Sequence, residues 1–436
     1  MKNIIIITPL FPPSNVASVH RSRLFAQHLP KFGWNPIIVT VDEKYHDFNY
    51  DWDIVKLLPE NLRIEKVNAI SNKKIKIINE IGIRAFYQLY KRVLKIVRNE
   101  KIDFIYIPIP TFYTALIGRL IYRKTKIRYG IDYIDPWVYK LPQSTSFLGK
   151  YWLSMQINKI LEPISIKHAS LITGVAPGYY EDVLIRNPKL KDHVVTTAMP
   201  YGGEKRDNLI ATELKLNTYI FKKVSGKLDF VYAGAMLPKA FETLNEILKS
   251  IKKNKDLFTN IRFHFIGTGT SPDDPNGFNI KELAQKYELW NDIIFEYPKR
   301  IPYLDVLSHL NAADGTFILG STEPHYTPSK IYQSILSEKP VFAVLHKKSS
   351  ACQVVKSTNI GTLLAFDGED ELSLISKNFA KIWSQHLNFI SNFSMDNVNL
   401  SEFDQYSAEM STMKLAESLD KVIGQNNYYE NINDSR

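Results

Sequence analysis

One cysteine, Cys352, stands among 436 residues. No internal disulfide can form, and no Cys/His cluster has the spacing of a zinc site, so a disulfide scaffold and a structural zinc module are both excluded. A reducing, cytoplasmic setting and a metal-free, cofactor-free site are the expectation. No segment approaches the ~20 apolar residues that a membrane-spanning helix needs. The run Ile4 to Ile7 follows Lys2 as a signal peptide might begin, but Pro9, Pro12 and Pro13 end it early, so it reads as a first buried strand. There is no short-period repeat and no low-complexity tract. No Asp-x-Asp pair closes a predicted strand; Asp273 and Asp274 fall in a predicted loop.

Hydrophobic residues make up 44% and charged residues 23% of the chain, which is the balance of a globular protein. The length suits two domains, each with its own core. Only residues 424–436 read as a tail too polar to order. The net charge of +10 admits nucleic acid, an anionic membrane face or an anionic substrate as partner. The densest basic stretch, Lys73 to Lys101, places Ile78, Ile81, Ala85 and Leu89 near one helical face. That pattern suits an ordinary surface helix or one lying on acidic lipid headgroups. It lacks the glycine-aromatic pattern of an RNA-binding sheet and any zinc module, so no nucleic-acid partner is expected.

The first forty residues read as a βαβ unit: a strand from Asn3 to Thr8, a helix from about Val19 to Phe32 capped at Gly33, and a strand from Pro36 to Val41. Apolar strands follow at Phe104 to Ile109, Ile127 to Ile131 and Leu171 to Val175. A second series runs through Leu228 to Ala233, Ile261 to Ile266, Ile293 to Phe295, Thr316 to Leu319 and Val341 to Leu345, with helical patterns between. Alternation twice over predicts an α/β protein of two doubly wound Rossmann-like domains facing each other across a cleft. The expected boundaries are residues 1–203 for the first domain, 204–227 for a linker and 228–405 for the second domain. A helix over 406–423 is expected to pack back on the first domain. Ligands of such sheets bind beyond the carboxyl ends of the strands.

The strongest local signal lies there, at Thr327-Pro328-Ser329-Lys330-Ile331-Tyr332-Gln333. Thr327 is a good N-cap and Pro328 a good first helical residue, so a helix should start here with free N–H groups that attract phosphate. Lys330 is poorly placed for the helix dipole, which points to anion binding; a capped helix with a solvent-facing lysine is the plain alternative.

This segment, leading to Glu338-Lys339-Pro340-Val341, resembles the Pro-Ser-Lys-x-x-Glu-Tyr and Gly-x-Pro-Val segments of the large retaining glycosyltransferase family often called family 4, whose members have the GT-B fold. The family's ribose-binding glutamate is replaced by Gln333, and the first of its paired glutamates falls on His325, with Glu323 two residues away. The resemblance continues in Phe11-Pro12-Pro13, Arg21 and Phe32-Gly33-Trp34-Asn35-Pro36, where Ser18 stands for the loop glycine. It continues again in Asp132-Tyr133-Ile134-Asp135-Pro136-Trp137, and in Gly234-Ala235-Met236 followed by Lys239, where the customary arginine is absent. Gly267-Thr268-Gly269 is similar to the family as well, or simply a turn.

The resemblance implies transfer of a hexose, with retention, from a nucleotide diphosphate sugar to a glycan or lipid-linked acceptor in surface polysaccharide biosynthesis. It implies donor contacts at Gly234, Lys239, Gly267, Thr327, Ser329, Lys330 and Gln333, and acceptor or phosphate contacts at Ser18, Arg21 and Asp135. Asp135, Lys239 and Lys330 are the implied catalytic groups: Asp135 as acceptor-orienting base, the lysines to stabilise charge on the departing diphosphate. For Arg21 a helix-surface cation, and for Asp135 a turn cap, are the plain alternatives. A non-hydrolysing sugar-nucleotide epimerase or a catalytically weak nucleotide-sugar-binding protein of the same architecture also remains open. A peripheral position on the inner face of the plasma membrane, through Lys73 to Lys101, is the expected membrane partner.

Overall fold

Four successive isoleucines, Ile4 to Ile7, are each 0% exposed, which only a strand covered on both faces allows. They form the centre of a seven-stranded, all-parallel sheet in a computed structural model that describes residues 1–46, 50–71, 80–139, 141, 145–324 and 326–433, with side chains of the last helix described as far as Gly424. The sheet comprises β1 (Lys2–Ile7), β2 (Trp34–Val41), β3 (Arg63–Val67), β4 (Phe104–Ile109), β5 (Tyr129–Tyr133), β6 (Leu171–Gly174) and β7 (Val195–Ala198). Their spatial order is β3-β2-β1-β4-β5-β6-β7, with Ile4 in register with Pro36 on one side and Phe104 on the other. Alternate residues feed two cores. Ile5, Ile7, Ile105 and Ile107 pack with Ala85, Leu89 and Val93, while Ile4, Ile6, Phe104 and Tyr106 pack with Phe25, Leu29, Leu415 and Leu419.

A second all-parallel sheet holds β8 (Leu228–Ala233), β9 (Ile261–Ile266), β10 (Ile294–Tyr297), β11 (Gly315–Leu319), β12 (Val341–His346) and β13 (Gly361–Phe366), in the order β10-β9-β8-β11-β12-β13. Both sheets thus have the reversal of strand order that defines a doubly wound fold. The second core is aromatic: Phe230, Phe263, Phe317 and Phe342 surround Trp383 and Phe379 of the helix Leu372–Ser391.

The chain divides into one unit of Met1–Tyr201 with Ala408–Arg436 and another of Gly202–Ser407. The stretch 204–227 is therefore no free linker. Glu204 caps a helix Lys205–Glu213, whose Asp207 accepts a 3.0 Å hydrogen bond from Tyr303 and whose Lys205 pairs with Asp404. Its polar residues are spent on contacts inside the second unit. The last residues also depart from expectation: the helix Ala408–Asn433 runs through most of the segment read as an unordered tail.

Three strands escape a periodicity reading. β3 and β13 lie at sheet edges and β7 is the other edge of the first sheet, so each is wetted on one side and lacks a continuous apolar run. The charges of β3 are used accordingly, with Arg63 on Glu65 and Glu100 and Lys66 on Glu43.

Part of the basic stretch is likewise committed. Lys73, Lys74, Lys76, Ile77 and Ile78 lie outside the described residues, and the helix Ile81–Asn99 turns Ile81, Ala85, Leu89 and Val93 into the core. Arg84 donates to the carbonyls of Ile70 and Tyr45 and Arg92 pairs with Glu65. Of the expected apolar face, Ile81, Ala85 and Leu89 are thus covered by protein, while Lys91, Lys95 and Arg98 stay exposed.

Two imidazoles are held neutral by the fold. Burial pushes His386 down to about 3, where it sits fully buried against Phe230, Phe342 and Trp383 with Nδ1 on Thr362 Oγ1 at 3.0 Å. Burial, with Arg23 adding repulsion, pushes His20 down to about 3 as well. The unfolded chain takes up these protons near pH 6.5, whereas the native chain refuses them down to about pH 3. Stability is therefore intact above pH 6.5 and falls as pH drops through that window, by about 1.4 kcal/mol per pH unit for His386. Thermal melts at successive pH values should show this slope, and His386→Met should make it shallower. An unchanged slope in the variant would contradict the assignment.

Candidate functional site

In the second sheet the strand order reverses between β8 and β11, and the crevice beyond their carboxyl ends is where such folds bind ligands. The backbone there leaves the sheet in a stepped ladder. Gly234 N–H donates to the Ile266 carbonyl at 2.8 Å and Gly267 N–H to the Tyr297 carbonyl at 2.8 Å, so the residues following β8, β9 and β10 line one edge. Gly234 has φ +128°, and a Cβ at this position would lie 2.8 Å from Lys330 Cε and 3.2 Å from Nζ. Only glycine satisfies both the conformation and the approach.

Lys330 opens the helix Lys330–Leu336 after β11. Its Nζ donates to the Tyr232 hydroxyl at 2.8 Å and to the Ala235 carbonyl at 3.3 Å, and lies 4.3 Å from the Tyr232 ring centroid. These partners are neutral. Desolvation, reinforced by the positive charge of Arg300, brings the ammonium down to about 7. Arg300 follows β10, with Cγ 3.7 Å from where a Gly267 Cβ would sit, and Gly267 itself has φ +71°. Burial depresses the guanidinium below its ordinary value, and only Asp273 opposes this. Among the described residues no carboxylate acts on Lys330. Two desolvated cations thus stand beyond the strand ends, Lys330 with no described carboxylate acting on it and Arg300 with Asp273 alone.

Sequence reasoning missed Arg300. Its signal was position alone, three residues beyond a strand, where chemistry is sought in such folds. It provides a second cation close enough to act on Lys330.

The other expected residues fall into place unevenly. Thr327 does not cap the helix: its Oγ1 pairs with Ser350 Oγ at 2.7 Å, and helical structure begins at Lys330 with Ser329 at the N-cap position and no side-chain cap. A hydroxyl partner distant in sequence has outcompeted the local capping signal. Gln333 is partly buried, and no described residue hydrogen-bonds its amide. Lys239 is exposed at the start of the helix Ala240–Lys253, with Nζ 3.6 Å from Glu369, and its contacts do not join it to Lys330 and Arg300. Glu323 is partly buried, and His325 lies outside the described residues.

In the first unit, Arg21 is not a free anion receptor. Its guanidinium is fully buried against Asp132, with Nε–Oδ2 at 2.5 Å and Nη2–Oδ1 at 3.0 Å. Nη1 donates to the carbonyls of Met199 at 2.8 Å and Pro200 at 3.1 Å. Burial opposes the charge, yet Asp132 outweighs it and holds the guanidinium above its usual range. Ser18 is already inside the helix Ala17–His28, its carbonyl accepting from Ser22 Oγ at 3.3 Å, so no glycine conformation is needed there. Asp135 stands two residues beyond β5 with an exposed side chain. No described residue pairs with it, and desolvation raises its carboxyl above the ordinary range.

Among the described residues no three His, Cys, Asp or Glu side chains are grouped to share a metal ion, and no described helix is long and apolar enough to cross a membrane.

No model of a known protein family matches the chain, and no curated protein matches it. Solved structures do. A glycosyltransferase from Rickettsia africae is 15% identical, with 97% of this chain and 98% of that one covered at a TM-score of 0.60. HepE from Anabaena, solved with UDP-glucose, is 13% identical over 97% of this chain and 100% of that one, at a TM-score of 0.59. A trehalose 6-phosphate synthase from Burkholderia multivorans is 10% identical over 98% of both chains, at a TM-score of 0.63. The two parallel-sheet, Rossmann-like units and these likenesses give the protein the GT-B fold.

Proposed function

We propose that this GT-B protein is a glycosyltransferase whose donor is a nucleotide diphosphate sugar, bound with its diphosphate against Lys330 and Arg300 at the carboxyl edge of the second sheet. The observation that carries this is the pair of desolvated cations, Lys330 with no described carboxylate and Arg300 with Asp273 alone, where β8 and β11 diverge. The UDP-glucose held by the Anabaena neighbour supports the same donor class. Gly234 lets Lys330 approach the backbone, and Gly267 leaves room for Arg300. The Gln333 amide offers neutral hydrogen bonds to hydroxyls of the donor, whereas Lys239, exposed beside Glu369, has a donor role only by the family resemblance.

In the reaction, the bond between the anomeric carbon and the diphosphate oxygen breaks and a bond to an acceptor hydroxyl oxygen forms. The nucleoside diphosphate leaves with the bonding pair, and Lys330 and Arg300 stabilise that growing charge. The acceptor hydroxyl gives its proton to a base, the role that the family resemblance gives to Asp135, whose carboxyl is raised above its ordinary range. Hexose transfer with retention, to a glycan or lipid-linked acceptor in polysaccharide biosynthesis, is the finer assignment that the family resemblance supports. Nucleoside diphosphate release from a panel of nucleotide sugars, with and without glycan and lipid-linked acceptors, tests the reading. Asp135→Asn should lower kcat about a hundredfold and leave donor affinity unchanged. Acceptor-independent conversion of the donor into another nucleotide sugar would make the protein an epimerase instead.

A further inference from the structure

The helix Lys150–Ile166 is built inside out. Its inward face carries Asn158, Glu162 and Ser165, all buried. Glu162 takes two bonds from Arg186 Nη2, at 2.8 and 3.0 Å, and one from Nε at 3.1 Å. Tyr113 donates to Asn158 at 3.4 Å, and Tyr129 donates to the Ser165 carbonyl at 2.5 Å. The outward face is apolar. Leu153, Ile157, Ile160 and Ile164 recur at spacings of four, three and four, which is one stripe of an α-helix, and they are 47%, 48%, 63% and 39% exposed. Phe147 and Leu148, just before the helix, are exposed as well. A water-facing helix normally shows the opposite arrangement, and a contiguous apolar surface of this kind marks an interaction site.

The charges around the stripe say what covers it. Lys150, Lys159 and Lys167 are exposed along the helix and at its end. On the adjoining helix Ala115–Thr125, Arg119 donates to the Ile164 carbonyl at 2.6 Å, and Arg123 and Lys124 are exposed. The sole carboxylate from Trp137 to Ala169 is Glu162, which is buried and engaged by Arg186. A second copy seated on this face would set lysines against lysines with no exposed acid on the helix itself to meet them. A surface of anionic lipid headgroups over acyl chains complements both features, the apolar stripe entering the headgroup boundary and the lysines lying on the phosphates.

We propose that the face carrying Leu153, Ile157, Ile160 and Ile164 docks the protein on an anionic bilayer surface, the helix lying in the plane of the interface. This contact is independent of the donor site. It lies on a different element from the basic stretch, whose described apolar face is spent in the core.

Flotation of the full chain with vesicles of phosphatidylcholine, with or without phosphatidylglycerol, tests it. The protein should float with phosphatidylglycerol vesicles, and high salt should weaken the association. Lys159→Ala and Lys167→Ala should each lower partitioning about fivefold, and Ile157→Asp with Ile160→Asp should abolish it with the circular dichroism spectrum unchanged. Should the aspartates disturb folding, Ile157→Ser with Ile160→Ser gives the same readout. Lys91→Glu with Lys95→Glu, on the other basic helix, should leave flotation as it is. Equal flotation of wild type and the Ile157/Ile160 variants overturns the proposal. So does a wild-type dimer in sedimentation that those variants dissociate without any vesicle binding, which would make the face a protein interface.

Discussion

Lys330→Met is expected to weaken nucleoside diphosphate binding about a hundredfold and, at the same time, to raise the melting temperature of the ligand-free protein. The two effects have one cause. The ammonium is held among a tyrosine ring, a tyrosine hydroxyl and a backbone carbonyl, where its charge has little solvent and no described carboxylate to balance it. Burial, and the charge of Arg300, bring it from 10.5 to about 7. Between those values the unfolded chain keeps the proton and the native chain gives it up, so the native state gains stability as pH rises from 7 to 10.5 and bears an uncompensated charge below that window. Methionine fills similar space without charge, so the variant keeps the packing and loses the desolvation cost of the ammonium. A diphosphate supplies the missing counter-charge, and losing a charge-assisted bond of this kind costs about 1.5–3 kcal/mol. Fluorescence titration with UDP and a melting curve read the two effects separately. Full affinity in the variant would remove Lys330 from the donor site.

The second large effect is on stability and lies in the first unit. Arg21→Ala or Asp132→Ala should each destabilise that unit by about 3–5 kcal/mol, because each leaves its partner charged and buried without compensation. The pair also anchors a wider network. Asp132 Oδ1 accepts from Thr173 Oγ1 at 2.8 Å, and Tyr106 and Thr173 share a 2.6 Å hydrogen bond. Arg21 thereby joins the helix Ala17–His28 to β5, β6 and the Met199-Pro200 turn. Apolar replacement of both partners, Arg21→Met with Asp132→Leu, should recover much of the loss. Urea midpoints of the single and double variants measure this. Single variants within about 0.5 kcal/mol of wild type would mean that the pair is not the latch described.

Why Arg21 reads differently in the sequence follows from the same contacts. An arginine early in a helix after a Phe-Pro-Pro loop signals anion binding locally, while the carboxylate that claims it is 111 residues away. Thr327 misleads for a related reason, since Ser350 competes for the hydroxyl that would have capped a helix. The central strands are legible because residues such as Ile4 to Ile7 or Val341 to Leu345 are covered on both faces and must be apolar throughout. The edge strands β3, β7 and β13 are not, because half their surface meets water. Gly234, Gly267 and Lys330 stand out through local pattern, and the fold sets them on one edge. Arg300 has no local signature, and its importance appears only when the end of β10 is laid beside that of β9. The inverted helix Lys150–Ile166 is hidden for another reason: periodicity shows that a helix has two faces but not which of them the rest of the chain will cover.

The most direct test of the donor site is calorimetric titration of the protein with UDP, UMP and uridine at pH 7 and pH 8, each in buffers of different ionisation enthalpy. An ammonium near 7 that must be charged to hold a diphosphate predicts that UDP binds far more tightly than uridine. It also predicts that binding takes up a fraction of a proton at pH 7 and more at pH 8, and that affinity falls between the two by up to about tenfold. Uridine binding as tightly as UDP, or UDP binding without proton uptake at either pH, would contradict the placement of the diphosphate against Lys330 and Arg300.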